Sequence, residues 1–216
     1  MGVGTFFHYF GTVLLLAATA LLIVVSVTSP VVNNLSILKI DFSGSSTVDR
    51  ITYGTFGYCI INSNGKDDCT SAHVGYDATG AITRVTQLTF SNNDRDAARV
   101  LTRVLILHPI AAGLTFLAFL LCLGTSFLGS FVASLFSALA FIATVIAMAC
   151  DFAGFEIIKH AVNTRGPNNI DARWGPAVWC ILAAAALTLV ATILVFVTCC
   201  AGRVKKNRTR RGKTDY

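Results

Sequence analysis

Four apolar runs, each near the roughly 20 residues an α-helix needs to cross a bilayer, leave this chain of 216 residues few ways to fold. They fall at Tyr9 to Ser29, Val104 to Thr125, Phe131 to Asp151 and Gly175 to Ala201. Charged residues make up only 13% of the sequence, against about 25% in a soluble domain. Lipid is therefore the solvent for most of the chain, and a segment that crosses it must satisfy its own backbone as a helix. Within the four runs the only Asp, Glu, Lys or Arg is Asp151, at the edge of the third. Ion and proton paths are built on buried ionisable groups, so a small transporter or channel is the weaker function class.

Charge sets the expected orientation. The net charge of +6 is concentrated in the last fourteen residues, which hold Arg203, Lys205, Lys206, Arg208, Arg210, Arg211 and Lys213. Basic residues beside a span are retained in the cytosol, and anionic inner-leaflet lipids attract each by about 1 kcal/mol. The tail at 202–216 is thus read as a membrane-surface cluster, with no nucleic-acid partner. An even number of spans also places residues 1–8 and the short turn at 126–130 in the cytosol. The loops Pro30 to Arg103 and Phe152 to Trp174 then lie outside. Cleavage of the first run as a signal peptide is disfavoured, because no Lys or Arg precedes it and no A-x-A-like site follows.

The long first loop carries seven Lys/Arg and seven Asp and alternates like a sheet. Leu38, Ile40 and Phe42 are interleaved with Lys39 and Asp41, the period of a half-buried strand, and Ile51 to Asn62 and Ala81 to Phe90 are β-rich runs bounded by turn residues. Asn64-Gly65, a strong turn signal, lies between Cys59 and Cys69, so these cysteines are expected on neighbouring strands and disulfide-bonded in an oxidising compartment. Ser91 with Asp94 reads as a helix cap. Arg95, Arg99 and Arg103 follow at intervals of four, aligned on one face of a short helix that leads into the second span.

Small residues recur within the spans. Ser130, Ser134, Ser137, Ala140, Thr144 and Ala147 line one side of the third, and Ala112, Gly113, Thr115 and Ala118 line the second. Such faces let helices pack closely in lipid. Packing within one four-helix bundle is the simpler use, and homo-oligomer formation the alternative.

Few residues invite chemistry. The histidines His8, His73, His108 and His160 are scattered, and no Gly-rich phosphate loop or HExxH motif occurs, so no metal, cofactor or enzymatic activity is expected. His73 and His160 fall on the outer side, where an imidazole titrates near pH 6.5. Cys150 and Cys180 lie near outer span ends, with free thiols favoured over a second bridge. Cys199 and Cys200 end the fourth span beside the basic tail, the setting for S-palmitoylation. Asn34-Leu35-Ser36 is an outer N-glycosylation sequon, and Trp174 and Trp179 suit an interfacial aromatic belt. Pro109 suits the first turn of a helix, with His108 beside it near the interface.

The stretch Tyr53-Gly54-Thr55-Phe56-Gly57-Tyr58-Cys59, followed by Cys69, by Gly75-Tyr76 and by Leu105-Ile106-Leu107-His108-Pro109-Ile110-Ala111-Ala112, resembles the fungal PalI family, which is grouped with the eisosome tetraspans of the Sur type. With the four-span layout, the resemblance covers essentially the whole chain. The spacing of Gly54, Phe56, Cys59 and Cys69 is also similar to the G-L-W-x-x-C and C signature of claudins, with Phe56 in place of tryptophan. The resemblance implies a claudin-like fold, an all-α bundle of four transmembrane helices capped by a small extracellular β-sheet. It further implies a non-enzymatic plasma-membrane accessory that supports a seven-helix sensor in alkaline pH signalling. PalI proteins often continue into long cytosolic tails, whereas this sequence ends fourteen residues after Gly202. That departure leaves room for a Sur-type role in eisosome microdomains, cell-wall organisation or cell fusion.

Overall fold

The computed structural model describes residues 3–32, 34–44, 47–124, 127–167 and 169–211. In chain order the elements are α1 (Val3–Ser26), β1 (Leu38–Phe42), β2 (Val48–Tyr53), β3 (Tyr58–Asn62), β4 (Asp68–Cys69), α2 (Ala78–Thr86), α3 (Asn92–Val104), α4 (Leu107–Leu123), α5 (Phe127–Arg165), β5 (Ile170–Trp174) and α6 (Pro176–Arg211). Four helical stretches are long and apolar enough to cross a membrane: Phe6–Ser26, Asn92–Leu123, Phe131–Arg165 and Pro176–Thr198. The protein is a mostly helical membrane protein with a small antiparallel sheet, as the sequence predicts. Its chain divides into two compact units, and helices α1, α4, α5 and α6 contribute residues to both.

One unit comprises residues up to Leu21, Ile110–Thr144 and Ala183 onward. Its interior is rich in small side chains, packed with Leu15 and Val195. Ala18, Ala118, Ala133, Ser134, Ser137, Ala140, Ala184, Thr188 and Ala191 are buried, while Val13, Leu117, Leu120, Leu139, Ile142, Ile193 and Phe196 point outward. This inversion of the soluble pattern is what lipid demands: large apolar groups gain nothing by leaving hydrocarbon, and small ones let backbones approach. Gly11 marks one such approach, since a Cβ there would lie 3.3 Å from both Leu194 and Val195. Hydroxyls satisfy themselves on their own helices, as Thr115 does on the Ala111 carbonyl at 2.9 Å. Among the described residues, bonds that cross between helices include the His8 ring to the Cys122 carbonyl at 3.0 Å and the Ser137–Thr192 hydroxyl pair. Of the small residues expected to pack, Gly113 instead lies exposed on α4.

The other unit, Leu22–Pro109 with Val145–Leu182, carries the sheet. Its five strands run in the order β4-β3-β2-β1-β5, each pair antiparallel. Leu38 and Ile40 are fully buried while Lys39 and Asp41 stay half-exposed, the alternation read from the sequence. Asp41 is directly opposite Arg50 on β2, and the two form an ion pair at 2.6 Å. The buried faces of Ile51, Tyr53, Tyr58, Tyr76 and Ile82 join Phe155 and Ile158 of α5 in one core.

Two features differ from the sequence reading. The β-rich run Ala81 to Phe90 is not a strand. Asp77 caps a helix there, its carboxylate accepting from the amides of Thr79 at 3.1 Å and Gly80 at 3.2 Å. Ala78, Ala81 and Ile82, spaced for one helical face, are buried, and capping plus that burial outweighs the β-branched composition. The second difference is β5, which pairs with β1 from Leu38 opposite Trp174 to Phe42 opposite Ile170. It follows α5, which continues in helix through Phe152 to Arg165. Asn163 of α5 grips the middle of β5, accepting from the Ala172 amide at 2.9 Å and donating to its carbonyl at 3.2 Å.

The buried tyrosines make opposite predictions. Tyr76 donates to the Gly54 carbonyl at 2.7 Å, whereas the buried Tyr53 hydroxyl has no partner among the described residues. Tyr76→Phe should lower stability by about 1–3 kcal/mol, because a buried acceptor is orphaned, while Tyr53→Phe should be neutral or stabilising. Thermal unfolding of both variants in detergent checks this.

Candidate functional site

The motif residues from Gly54 to Tyr76 meet at a single junction. The turn between β2 and β3 is closed by the Gly54 amide donating to the Gly57 carbonyl at 2.9 Å. It seats on the chain that leaves α1. Thr55 donates its amide to the Thr28 hydroxyl at 2.9 Å and its own hydroxyl to the Val25 carbonyl at 2.8 Å. Gly54 is packed so closely on Ser29 that a Cβ would overlap that backbone. Tyr76 then reaches back to the Gly54 carbonyl from the far side of the loop. Phe56 is half-buried, and its carbonyl accepts from the His73 amide at 3.0 Å.

Cys59 and Cys69 form a disulfide, with Cα atoms 4.1 Å apart and facing each other across β3 and β4. The connection is the Asn64-Gly65 turn, in which the Asn64 side chain accepts from the Lys66 amide at 3.0 Å. With only two residues, β4 is too short to hold an edge by backbone pairing alone, so the staple fixes it.

Beside this junction α2 and α3 wall a hollow of about 450 Å³. Arg84 of α2 and Arg99 and Arg103 of α3 line it, together with Tyr58, His73 and Asp77. The predicted arginine stripe therefore divides: Arg99 and Arg103 enter the hollow, while the Arg95 Nε is buried without a partner among the described residues. Gly75, with a φ of +75°, and Tyr76 form the opposite rim, where Thr102 donates to the Tyr76 carbonyl at 3.0 Å. Burial pushes the Tyr53 and Tyr76 phenols well above their ordinary value of about 10. Burial also raises Tyr58, and neighbouring Arg84 offsets part of that rise. A phenol raised by folding stabilises the fold fully below its unfolded value and loses that contribution as pH climbs through the folded one. These three phenols thus stay protonated across neutral and moderately alkaline pH.

A second polar grouping lies in the membrane-crossing helices of the same unit. His108 of α4 and Asp151 of α5 meet at 2.8 Å between Nε2 and Oδ2, with 0% and 2% of their side chains exposed. His108 Nδ1 and Asp151 Oδ1 have no partner among the described residues. Pro109 sits in the first turn of α4, as read from the sequence. The pairing itself escaped sequence reasoning, because the residues are 43 apart and Asp151 reads as an edge residue. The available signal was that Asp151 is the single acidic residue of four apolar runs, and a membrane carboxylate demands a partner.

Other expected sites fall apart from these. Cys150 and Cys180 are free and half-exposed, and Cys122 is free and buried. Asn34 is exposed, whereas Ser36 of its sequon is buried beside Gly175. His160 is exposed on α5, and Trp179 projects outward from α6. The backbone of α6 extends past Cys199 and Cys200 and through Arg203, Lys205, Lys206, Arg208, Arg210 and Arg211. Their side chains, and Lys213 entirely, lie outside the described residues. No three His, Cys, Asp or Glu side chains gather as a metal site among the described residues.

Four helices fit to cross a bilayer and a stapled sheet docked on the end of the first define a multi-pass membrane protein with a folded module outside the hydrocarbon. A profile of the SUR7/PalI family matches residues 7–198. The chain belongs to the SUR7/PalI family. Among curated proteins it is similar to the pH-response regulator protein palI/RIM9 of Emericella nidulans, 34% identical over 115 residues, which is 53% of this chain and 18% of that relative. It is also similar to the pH-response regulator protein palI/prr-5 of Neurospora crassa, 29% identical over 53% of this chain and 15% of the relative. The membrane protein TOS7 of Saccharomyces cerevisiae is 34% identical over 47% of this chain and 15% of its own length. The chain thus spans less than a fifth of the length of these relatives.

Two outcomes follow from the geometry. Gly54→Ala should unseat the turn from α1 and destabilise the sheet by about 2 kcal/mol or more, since backbone must move to admit a methyl; faster proteolysis within 30–104 checks it. For the membrane pair, His108→Leu or Asp151→Leu alone should cost about 3–5 kcal/mol by leaving a buried polar partner stranded, and the double replacement should recover most of it. Thermal unfolding of all four proteins in one lipid composition completes the cycle, and additive losses would mean the two side chains act independently.

Proposed function

We propose that this chain is a non-enzymatic, PalI-type accessory in the response to ambient alkaline pH, holding a seven-helix sensor at the plasma membrane. The observation that supports this reading is the junction at Gly54, where the residues that carry the resemblance to PalI are joined by hydrogen bonds and a disulfide into one stapled module. The buried phenols of this module stay protonated through moderately alkaline conditions, so their titration does not oppose the fold where such a response operates. In this reading both termini are cytosolic and the sheet is extracellular. Arg203, Lys205, Lys206, Arg208, Arg210, Arg211 and Lys213 rest on anionic inner-leaflet lipids, Cys199 and Cys200 carry acyl chains, and Asn34 is the glycan acceptor.

A second reading, a Sur-type organiser of eisosome or cell-wall membrane domains, draws on the family's joint SUR7/PalI character and on the similarity to TOS7. Affinity purification of the tagged protein from its own host in mild detergent separates the two. We expect mass spectrometry to recover a seven-helix membrane protein, and Gly54→Ala to lose it. Recovery of eisosome or cell-wall proteins without a seven-helix partner would replace the pH-response reading with the second one.

A further inference from the structure

We propose that the hollow between α2 and α3 is a binding site for a phosphate group, supplied either as free phosphate or on a phospholipid headgroup. Three guanidinium side chains, Arg84, Arg99 and Arg103, line the same hollow as a single carboxylate, Asp77. That carboxylate is already engaged. Its Oδ1 accepts from the Thr79 amide, the Thr79 hydroxyl and the Gly80 amide at 3.1, 2.7 and 3.2 Å. Its Oδ2 stands 4.0 Å from Arg99, the outer limit of an ion pair. Arg84 and Arg103 have no carboxylate partner among the described residues. Positive charge that lines a concavity and is not neutralised within the protein favours an anion from outside.

The placement of Arg103 is built rather than incidental. Its stem lies against Gly75 where any Cβ would overlap it, and Thr102 beside it ties α3 to the Tyr76 carbonyl. The planar fork of arginine matches the oxygens of a phosphate, and charge-assisted bonds of this kind are about twice as strong as neutral ones. A hollow of about 450 Å³ admits one compact anionic group, at the small end of ligand sites. The lipid source is a real alternative because Arg103 lies four residues before Leu107, where α4 begins, within a stretch fit to cross the bilayer.

The site does not depend on which partner the protein serves, so its test is separate from the pull-down above. Purified full-length protein is titrated calorimetrically with inorganic phosphate in detergent, and its thermal stability is compared in nanodiscs of phosphatidylcholine with and without phosphatidic acid. Binding in either arm, weakened about tenfold or more by Arg84→Gln and by Arg103→Gln but not by Lys66→Gln, is the expected result. Response to phosphate in solution assigns a free-anion site, and response to phosphatidic acid alone assigns a headgroup site. Arg84 is exposed, so Arg84→Gln should keep the fold, with retention of the Cys59–Cys69 bond as the control. No response in either arm, a response indifferent to both arginine replacements, or capture of an acidic peptide without any response to phosphate would overturn the proposal.

Discussion

The sheet-bearing unit depends on one contact, the seat of the β2–β3 turn on the chain leaving α1. There the Thr55 amide donates to the Thr28 hydroxyl and the Thr55 hydroxyl to the Val25 carbonyl, which at the end of the helix also accepts from the Thr28 hydroxyl. Only a residue without a Cβ allows the turn to come so near Ser29. Five short strands with a two-residue edge could not stand alone in water, because so small a sheet buries too little. Fixed at this seat, closed at its edge by Cys59 and Cys69, and backed by Phe155 and Ile158, the same strands form one core.

The unit made of helix segments without the sheet obeys a different rule. Lipid removes the hydrophobic incentive for helices to associate, so contact comes from small side chains and from a few bonds between helices. The His8 bond to the Cys122 carbonyl and the Ser137–Thr192 pair are such bonds. The His108–Asp151 pair, in the sheet-bearing unit, belongs to the same class with higher stakes, since each side chain is buried and keeps one unpartnered atom. Breaking such a pair strands a buried polar partner and is costly, which ties α4 to α5 at this point.

Family membership and structure constrain each other. The matched profile extends over nearly all of the chain, while the named pH-response regulators are matched over a small part of their own length. What the family profile covers is therefore the four membrane-crossing stretches together with the stapled loop. Within the matched range Gly54, Tyr76 and His108 each occupy a place explained by a contact: a close backbone approach, a hydrogen bond across the module and a buried polar pair.

Features that rest on neighbours in sequence were legible from the residues. The four apolar stretches, the alternation from Leu38 to Phe42, the cap at Ser91 and the cysteine pair across Asn64-Gly65 all depend on spacing within a few residues. The Ala81 to Phe90 run misled because β-branched composition speaks softly beside a capping carboxylate and a burial face. Three-dimensional folding alone decided that β5 would complete the sheet beside β1, that His108 would find Asp151, and that Arg84 would join Arg99 and Arg103 around one hollow. Each joins segments far apart in the chain, where periodicity carries no information. Which distant groups meet is set by how the helices and strands pack, and that is a property of the whole chain.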